Sequence, residues 1–295
     1  MDGKMWLGNL AHAQWVPCPA TGMTRSSEGF SEEFGSDNGG LWINRSKAMH
    51  LVYEADFPVK DSSEYTGIES FARFASGEYG SDYIRFIDPM VADQNLFSAV
   101  WASPGLSEEG WKAIYDVAPT YAETTSNTYG KPLRTATYAL SGVANAVPTG
   151  KNSVFTELIP TGYTLSIGAS GTRTGTGVLR VQPINLDGTL ATPVDITMSS
   201  VASAPAFSNT FSGNTYKAIR IYLTQTSAAA STISPVALWM QVLPTGTTAT
   251  ITRHIPGKGH MGLNFRGSAR PETYVMTDRH LTGASIVLAE VEPWS

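Results

Sequence analysis

The sequence of 295 residues has a single cysteine, Cys18, so no disulfide bond forms within the chain and folding does not depend on an oxidising compartment. Charged residues make up only 15% of the sequence, below the usual fraction of about a quarter. No apolar run reaches the roughly 18 residues of a membrane-spanning helix, and the N-terminal segment lacks the pattern of a secretory signal peptide. These absences predict a soluble protein made inside a cell, with no membrane insertion.

Common catalytic and metal-binding motifs are also missing. The sequence contains no G-x-S-x-G, H-E-x-x-H or G-x-x-x-x-G-K-[ST]. His254, His260 and His280 match no common metal spacing and have no nearby cysteine, which favours hydrogen-bonded or solvated histidines over a metal centre. We therefore expect no enzyme activity, no catalytic residues, no cofactor and no metal.

One acidic cluster leaves a hydrolase open as an alternative. Glu28, Glu32 and Glu33 lie close together in the sequence SEGFSEEFG, and a glycosidase needs only two well-placed carboxyl groups. A solvated acidic loop explains the same cluster without any chemistry, and we favour it.

A glycine motif, GKGHMG, raises the possibility of dinucleotide binding. Gly257, Gly259 and Gly262 fit G-x-G-x-x-G, but that fingerprint binds a pyrophosphate only where it leaves a strand and opens a helix. Here Pro256 precedes the glycines, and the residues that follow alternate in polarity and include Pro271. The glycines therefore indicate a tight turn or bulge in a β-structure.

The charge is divided unevenly along the chain. Residues 1–130 hold 8 Lys and Arg against 18 Asp and Glu, a net charge of −10, whereas residues 131–295 hold 12 against 7, a net charge of +5. This asymmetry favours two domains with different surroundings. The basic residues of the second part are singly spaced, which argues against a nucleic-acid-binding patch.

The first part combines strand patterns with one helix pattern. The run MHLVYEADFPV alternates apolar and polar residues and predicts a half-buried strand that ends at Pro58. The turn residues 37–40 precede the strand-like run Leu41–Ile43. A short amphipathic helix is predicted around residues 66–75, with Thr66 as its N-cap and Gly77 as its stop.

An apolar block follows the strand YIRFI. The sequence MVADQNLFSAVWASP carries one charge, Asp93, and its apolar residues follow neither helical nor strand periodicity. It predicts a loop or short helix pressed against another surface. If that surface belongs to the same chain, the block is core, and otherwise it is an interface between chains. The interface candidates are Asp88, Pro89, Met90, Asn95, Leu96, Phe97 and Trp101.

The second part predicts a β-sandwich. Turn residues dominate a linker at residues 131–150, between a domain at residues 1–130 and another at 151–295. After the linker, eight to ten short strands separated by turn signals follow each other without a helical window. The fold class is therefore mainly β, with a C-terminal β-sandwich or jelly roll.

Several short motifs resemble those of the distal tail and minor tail proteins of long-tailed phages that infect actinobacteria. In the first part the resemblance is carried by an aromatic strand, Asp-Pro, a later Asn and Trp-Ala-x-Pro. In the second part it is carried by YTLS, VLRVQPINLDG, a PG-x-G turn at Pro256–Gly259 and SIVLAEV at Ser285–Val291. The residues that carry the pattern in the first part are Phe86, Asp88, Pro89, Asn95, Trp101, Ala102 and Pro104. The family's block has prolines before its Trp, and this chain has none there.

The resemblance implies an architecture and a role. It implies an N-terminal β-sandwich-like ring domain with a hairpin and one short helix, and a peripheral galectin-like or carbohydrate-module-like sandwich. The implied role is a ring, a hexamer in preference to a trimer, that joins the tail tube to the tail tip. The implied partners are the tail tube protein, the tape measure protein and other tail-tip or baseplate proteins. DNA would only pass through the lumen, and the protein would be made in the bacterial host cytoplasm and located in the virion.

A glycan-binding adhesin is the alternative function. Sandwiches bind sugars through exposed aromatic platforms beside polar groups. Trp239 has apolar neighbours in the sequence VALWMQV, which indicates core. Tyr163, Tyr216, Tyr222 and Tyr274 are the remaining candidates for a platform.

Overall fold

The fold is known from a computed structural model, which describes most of the chain from residue 4 to residue 290. The predicted helix at 66–75 and the glycine turn at 257–262 lie outside the described residues, as do Cys18, His254 and His260. The described ranges are 4–11, 13–17, 23–28, 31–35, 41–45, 50–61, 84–87, 94–105, 111–112, 118–123, 134–149, 153–200, 206–250, 263–265, 271–275 and 280–290.

The protein is mainly β, as the sequence predicts. Within the described ranges, nineteen strands and one short helix are present. In chain order they are β1 (Lys4–Gly8), β2 (Ala13–Pro17), β3 (Met23–Glu28), β4 (Ser31–Gly35), β5 (Leu41–Arg45), β6 (His50–Asp61), β7 (Arg85–Ile87), α1 (Ala99–Ala102), β8 (Thr120–Glu123), β9 (Arg134–Leu140), β10 (Val154–Leu158), β11 (Tyr163–Thr174), β12 (Gly177–Asn185), β13 (Val194–Ile196), β14 (Ala206–Ser212), β15 (Tyr216–Gln225), β16 (Ser231–Pro244), β17 (Leu263–Phe265), β18 (Pro271–Val275) and β19 (His280–Glu290).

Two antiparallel sheets form the predicted sandwich. One has the strand order β14-β11-β16-β9-β8 and the other β10-β15-β12-β13. Leu165 and Ile167 of β11 and Ile219 and Ile221 of β15 are fully buried in one shared core. The spacing of two residues places each pair on one face of its strand, so the two sheets bury their apolar faces against each other.

A three-stranded sheet, β2-β1-β7, lies between the sandwich and a further sheet, and we call it the middle sheet. The further sheet has the order β17-β19-β6-β3, with β18 also paired to β19, and we call it the outer sheet. On β1, Trp6 belongs to the sandwich core, whereas its neighbours Met5 and Leu7 belong to a second core. Strand alternation therefore gives the middle sheet two apolar faces, one for each core.

The second core joins the middle sheet to the outer sheet. Tyr53 of β6 contacts Phe86 of β7, with 4.9 Å between their ring centroids. On β19, Ile286 and Leu288 are buried on this same core and lie opposite Ala55 and Tyr53 in the strand register. The predicted alternation of β6 is therefore confirmed, and its apolar face packs on the middle sheet.

Strand β6 does not end at Pro58, as the sequence pattern predicts, but continues to Asp61. Its pairing with β19 shifts register between Thr282 and Ala284, opposite the proline. Proline has no N–H for a ladder hydrogen bond, and a β-bulge is one of the places where a strand tolerates it.

Strand pairing divides the chain differently from the predicted bounds of 1–130, 131–150 and 151–295. The predicted linker contains β9, which pairs with both β8 and β16 in the sandwich. The predicted sandwich range contains β19, which pairs with β6 in the outer sheet. Periodicity shows that a segment is a strand and which face is apolar, but it does not identify the partner strand.

Candidate functional site

The described interface candidates Asn95, Leu96, Phe97 and Trp101 are all buried inside this chain. Asp88, Pro89 and Met90 lie outside the described residues. Between the two alternatives of core and interface, the structure places the four described residues in the core. The prediction of a short helix pressed against another surface is met by α1, whose residues pack near β16.

Asn95 binds the edge of β16 through its side-chain amide. Its Nδ2 donates to the carbonyl of Leu238 at 2.8 Å, and its Oδ1 accepts from the N–H of Met240 at 3.1 Å. The next residue continues the pattern, because the N–H of Leu96 donates to the carbonyl of Met240 at 2.8 Å. The amide thus supplies the partners that a neighbouring strand would supply.

This arrangement is needed because β9 covers only the first part of β16. The pairing of β9 with β16 ends at Ile233, and Pro235 follows. Beyond that point the buried N–H and C=O groups on this edge need other partners, since leaving them unpaired costs free energy. Asn95 and Leu96 provide these partners at Leu238 and Met240.

Two aromatic side chains of the segment 95–102, Phe97 and Trp101, pack against Trp111 and Phe155. Trp101 lies 4.3 Å from Trp111 and 5.1 Å from Phe155 between ring centroids. Phe97 lies 5.1 Å from Phe155, and the indole N–H of Trp111 donates to the carbonyl of Trp101 at 2.9 Å. Tilted and edge-on contacts of this kind add to the hydrophobic term. Phe155 belongs to β10, so the cluster fixes the segment to the sandwich.

A buried carboxyl group lies on the same strand as Phe155. Glu157 is buried, and its Oε1 accepts a hydrogen bond from the N–H of Leu158 at 3.0 Å. Burial raises the pKa of Glu157 to about 7, while the charge of Arg85 and the Leu158 hydrogen bond act in the opposite direction. Sequence reasoning missed this residue, because nothing in VFTEL distinguishes a buried glutamate from an exposed one.

A second charged group stabilises the loop before β10. Arg180 is buried and makes two hydrogen bonds to the carboxylate of Asp195, at 2.6 and 3.1 Å. Its third contact is a donation to Oδ1 of Asn145 at 2.7 Å. Asn145 has a φ of 57°, a conformation that asparagine tolerates better than most residues. The three side chains together join β12, β13 and the loop.

Trp239 is buried, as its apolar neighbours in the sequence predict. The four tyrosines considered as sugar platforms are placed in three ways. Tyr222 is buried. Tyr163 is half-buried against Trp15, with 5.1 Å between ring centroids, and Tyr216 is half-buried near Phe211. Tyr274 lies in β18, and its side chain is outside the described part.

The remaining sequence candidates lie on three strands, and their side chains are outside the described part. Glu28 lies in β3, Glu32 and Glu33 lie in β4, and His280 begins β19. Among the residues that the structure describes, no group of three His, Cys, Asp or Glu side chains has the geometry to hold a metal ion. No helix in the same ranges is long and apolar enough to cross a membrane.

Comparison with known proteins gives little. No protein-family model and no curated protein matches the chain. A structure of infectious bursal disease virus, Gt strain, aligns with this chain at 12% sequence identity and a TM-score of 0.24. The alignment covers 98% of this chain and 75% of the viral chain. The Gx strain aligns with 97% and 75%, at 10% identity and a TM-score of 0.23. Similarity at this level does not establish a shared fold.

Proposed function

We propose that this chain is a structural protein of a virion, which forms a ring or collar joining the tail tube of a long-tailed phage to its tail tip. There it supports the components that attach to the host. The family assignment rests on the resemblance of the sequence around Phe86–Pro104 and of the second part to distal tail and minor tail proteins.

The observation that supports a structural role is that the segment 95–102 connects β16 and β10 of the same chain. Asn95 and Leu96 complete the edge of β16, and Phe97 and Trp101 pack on Phe155 of β10. A closed ring needs two different surfaces on each copy, related by one fixed rotation. Buried polar and aromatic contacts within the subunit support this proposal, because they keep its surfaces in fixed relative positions.

The proposal includes specific partners. The ring is a hexamer in preference to a trimer, and it contacts the tail tube protein, the tape measure protein and other tail-tip or baseplate proteins. DNA only passes through its lumen. The net charge of −10 on residues 1–130 suits such a lumen, because acidic walls repel phosphate groups. Reversing the charge of lumen-facing acids should slow DNA ejection, and unchanged ejection would remove this part of the proposal.

Negative-stain imaging and mass photometry of the full chain test the ring, alone and mixed with the tail tube protein. We expect closed rings. We also expect Met90→Asp to give folded monomers, because Met90 is an interface candidate. Phe97→Asp, in the core, should instead prevent folding. A chain that stays monomeric even with the tube protein would contradict the proposal.

A glycan-binding adhesin is the second candidate, and the half-buried Tyr163 and Tyr216 are the observation that favours it. Their rings keep some exposure, whereas Trp239 and Tyr222 are enclosed. A glycan array probed with the full chain tests this function. Binding that is lost in Tyr216→Ala and kept in Met90→Asp would favour the adhesin over the ring.

A further inference from the structure

The contact between the middle sheet and strand β10 contains an arginine and a glutamate in apolar surroundings, and we call this contact the seam. On β7, Ile87 belongs to the sandwich core, and Arg85, two residues earlier, lies on the same face of the strand. On β10, Phe155 and Glu157 are also two residues apart and both are buried. The guanidinium of Arg85 lies 5.2 Å from the centroid of the Phe155 ring.

The side chain of Glu157 is buried, but its described hydrogen bonding is weak for a buried carboxyl group. Its described partner is the N–H of the adjacent Leu158, a contact that an exposed strand would also offer. A buried carboxylate normally has several donors or a direct ion pair, because removing its charge from water is costly. Arg85 acts on Glu157 through its charge and is itself half-exposed.

We propose that Glu157 is a proton-dependent latch, which keeps the middle sheet packed on the sandwich while its carboxyl group is neutral and loosens the seam when it ionises. This property belongs to the single chain and goes beyond the proposed ring.

The direction follows from the balance of causes on the pKa of Glu157. Burial is the largest, and it raises the pKa from 4.5 to about 7 in spite of Arg85. A seam that opens exposes the carboxyl group to water and returns the pKa to its ordinary value. Between pH 4.5 and about pH 7 the carboxyl group of Glu157 is therefore protonated in the closed seam and ionised in the open seam. Closure is favoured at low pH and weakens as pH rises towards 7.

The other charged residues near β10 do not change the direction of the pKa shift of Glu157. Arg220 on β15 lies opposite Thr156, on the face of the sheet that Glu157 does not share. Lys217 acts on Asp187 in the turn after β12. Lys112, beside Trp111, is the charged residue that the described part of the 94–112 region contributes, and it is half-buried.

Hydrogen exchange of the full chain at pH 5 and pH 8, corrected for the intrinsic effect of pH, measures the opening of the seam. We expect the opening equilibrium of the β7 and β1 amides to rise roughly 70-fold between these pH values, as the two pKa values of Glu157 require. Carboxyl ¹³C titration of the same protein should give a midpoint near neutral pH that is absent in Glu157→Gln.

Three variants separate the latch from a general effect of pH. Glu157→Gln should keep the seam closed and remove the pH dependence. Arg85→Met removes the charge that opposes burial, so the ¹³C midpoint should move to higher pH. Glu54→Gln, which alters an exposed acid on β6, should behave as the wild type. A Glu157 midpoint below pH 5, or the same exchange profile in Glu157→Gln and wild type, would overturn the proposal. The titration and Arg85→Met decide it if Glu157→Gln does not fold.

Discussion

Asn95 and Met240 are 145 residues apart in the sequence, and the side-chain oxygen of the first accepts the backbone N–H of the second at 3.1 Å. The same amide donates to Leu238, so one side chain occupies the place of a peptide group at the edge of β16. Buried backbone groups in native proteins are almost always paired. Here the pairing is achieved by a residue of the segment that also resembles the phage tail proteins.

The first prediction concerns this amide. Asn95→Ala leaves the N–H of Met240 and the carbonyl of Leu238 buried without their amide partner, and we expect a loss of about 3 kcal/mol in the free energy of unfolding. Urea denaturation followed by tryptophan fluorescence measures it. Gln94→Ala is the matched control, since Gln94 is adjacent and half-buried, and it should change stability by less than about 0.5 kcal/mol. Equal effects of the two variants would contradict the role of Asn95.

The second prediction concerns the aromatic cluster. Phe97→Ala removes a ring that contacts both Phe155 and Trp111, and the cavity should lower the free energy of unfolding by about 4 kcal/mol. Val143→Ala removes methyl groups from a side chain that is 59% exposed, so it should have almost no effect. Thermal unfolding of both variants provides the comparison, and a small effect of Phe97→Ala would mean that the segment detaches without cost.

The third prediction concerns Arg180. Asp195→Asn removes the charge that balances a buried guanidinium, and we expect a loss of about 2 kcal/mol, moderated because the Asp195 side chain is partly exposed. Replacing both residues, as Arg180→Met with Asp195→Asn, should cost less than the sum of the two single changes. A double-mutant cycle in urea measures the coupling. Additive effects would show that the pair does not stabilise the loop at Asn145.

The fourth prediction concerns two glycines. A Cβ added at Gly105 would lie 1.7 Å from the carbonyl oxygen of Arg134, which is backbone and cannot move away freely. Gly246 has a φ of 94° and open space around it. Gly246→Ala should therefore cost about 1 kcal/mol from backbone strain alone, whereas Gly105→Ala should cost several times more. Circular dichroism during heating measures the difference, and similar melting temperatures would contradict the close approach.

Periodic patterns predicted the strands well, and their limits are physical. Alternation in β6 predicts the buried face of Tyr53, Ala55 and Phe57, because a strand with one buried face must alternate. The predicted end of the strand at Pro58 was wrong, since β6 itself is bulged there, with Pro58 and Val59 opposite the single Gly283 of β19. The polarity pattern of β6 does not show where its pairing with a strand more than 200 residues away shifts register.

The buried polar residues were harder to predict. The sequence identifies Asn95 through a resemblance and does not show that its amide meets β16, because that contact depends on where the pairing of β9 stops. Glu157 was missed altogether. Its unusual pKa arises from the layers that cover β10, and no local sequence feature reports them.

The pairing of β6 with β19 affects how the chain folds. Ser285 and Asp56, which are hydrogen-bonded at 2.5 Å, are 229 residues apart in sequence. During synthesis, β6 has no partner on that edge until β19 leaves the ribosome, well after the sandwich strands have been made. Contacts between such distant segments form slowly, and an open strand edge is a site of aggregation in the meantime. Nascent chains that stop before residue 280 should therefore require a chaperone.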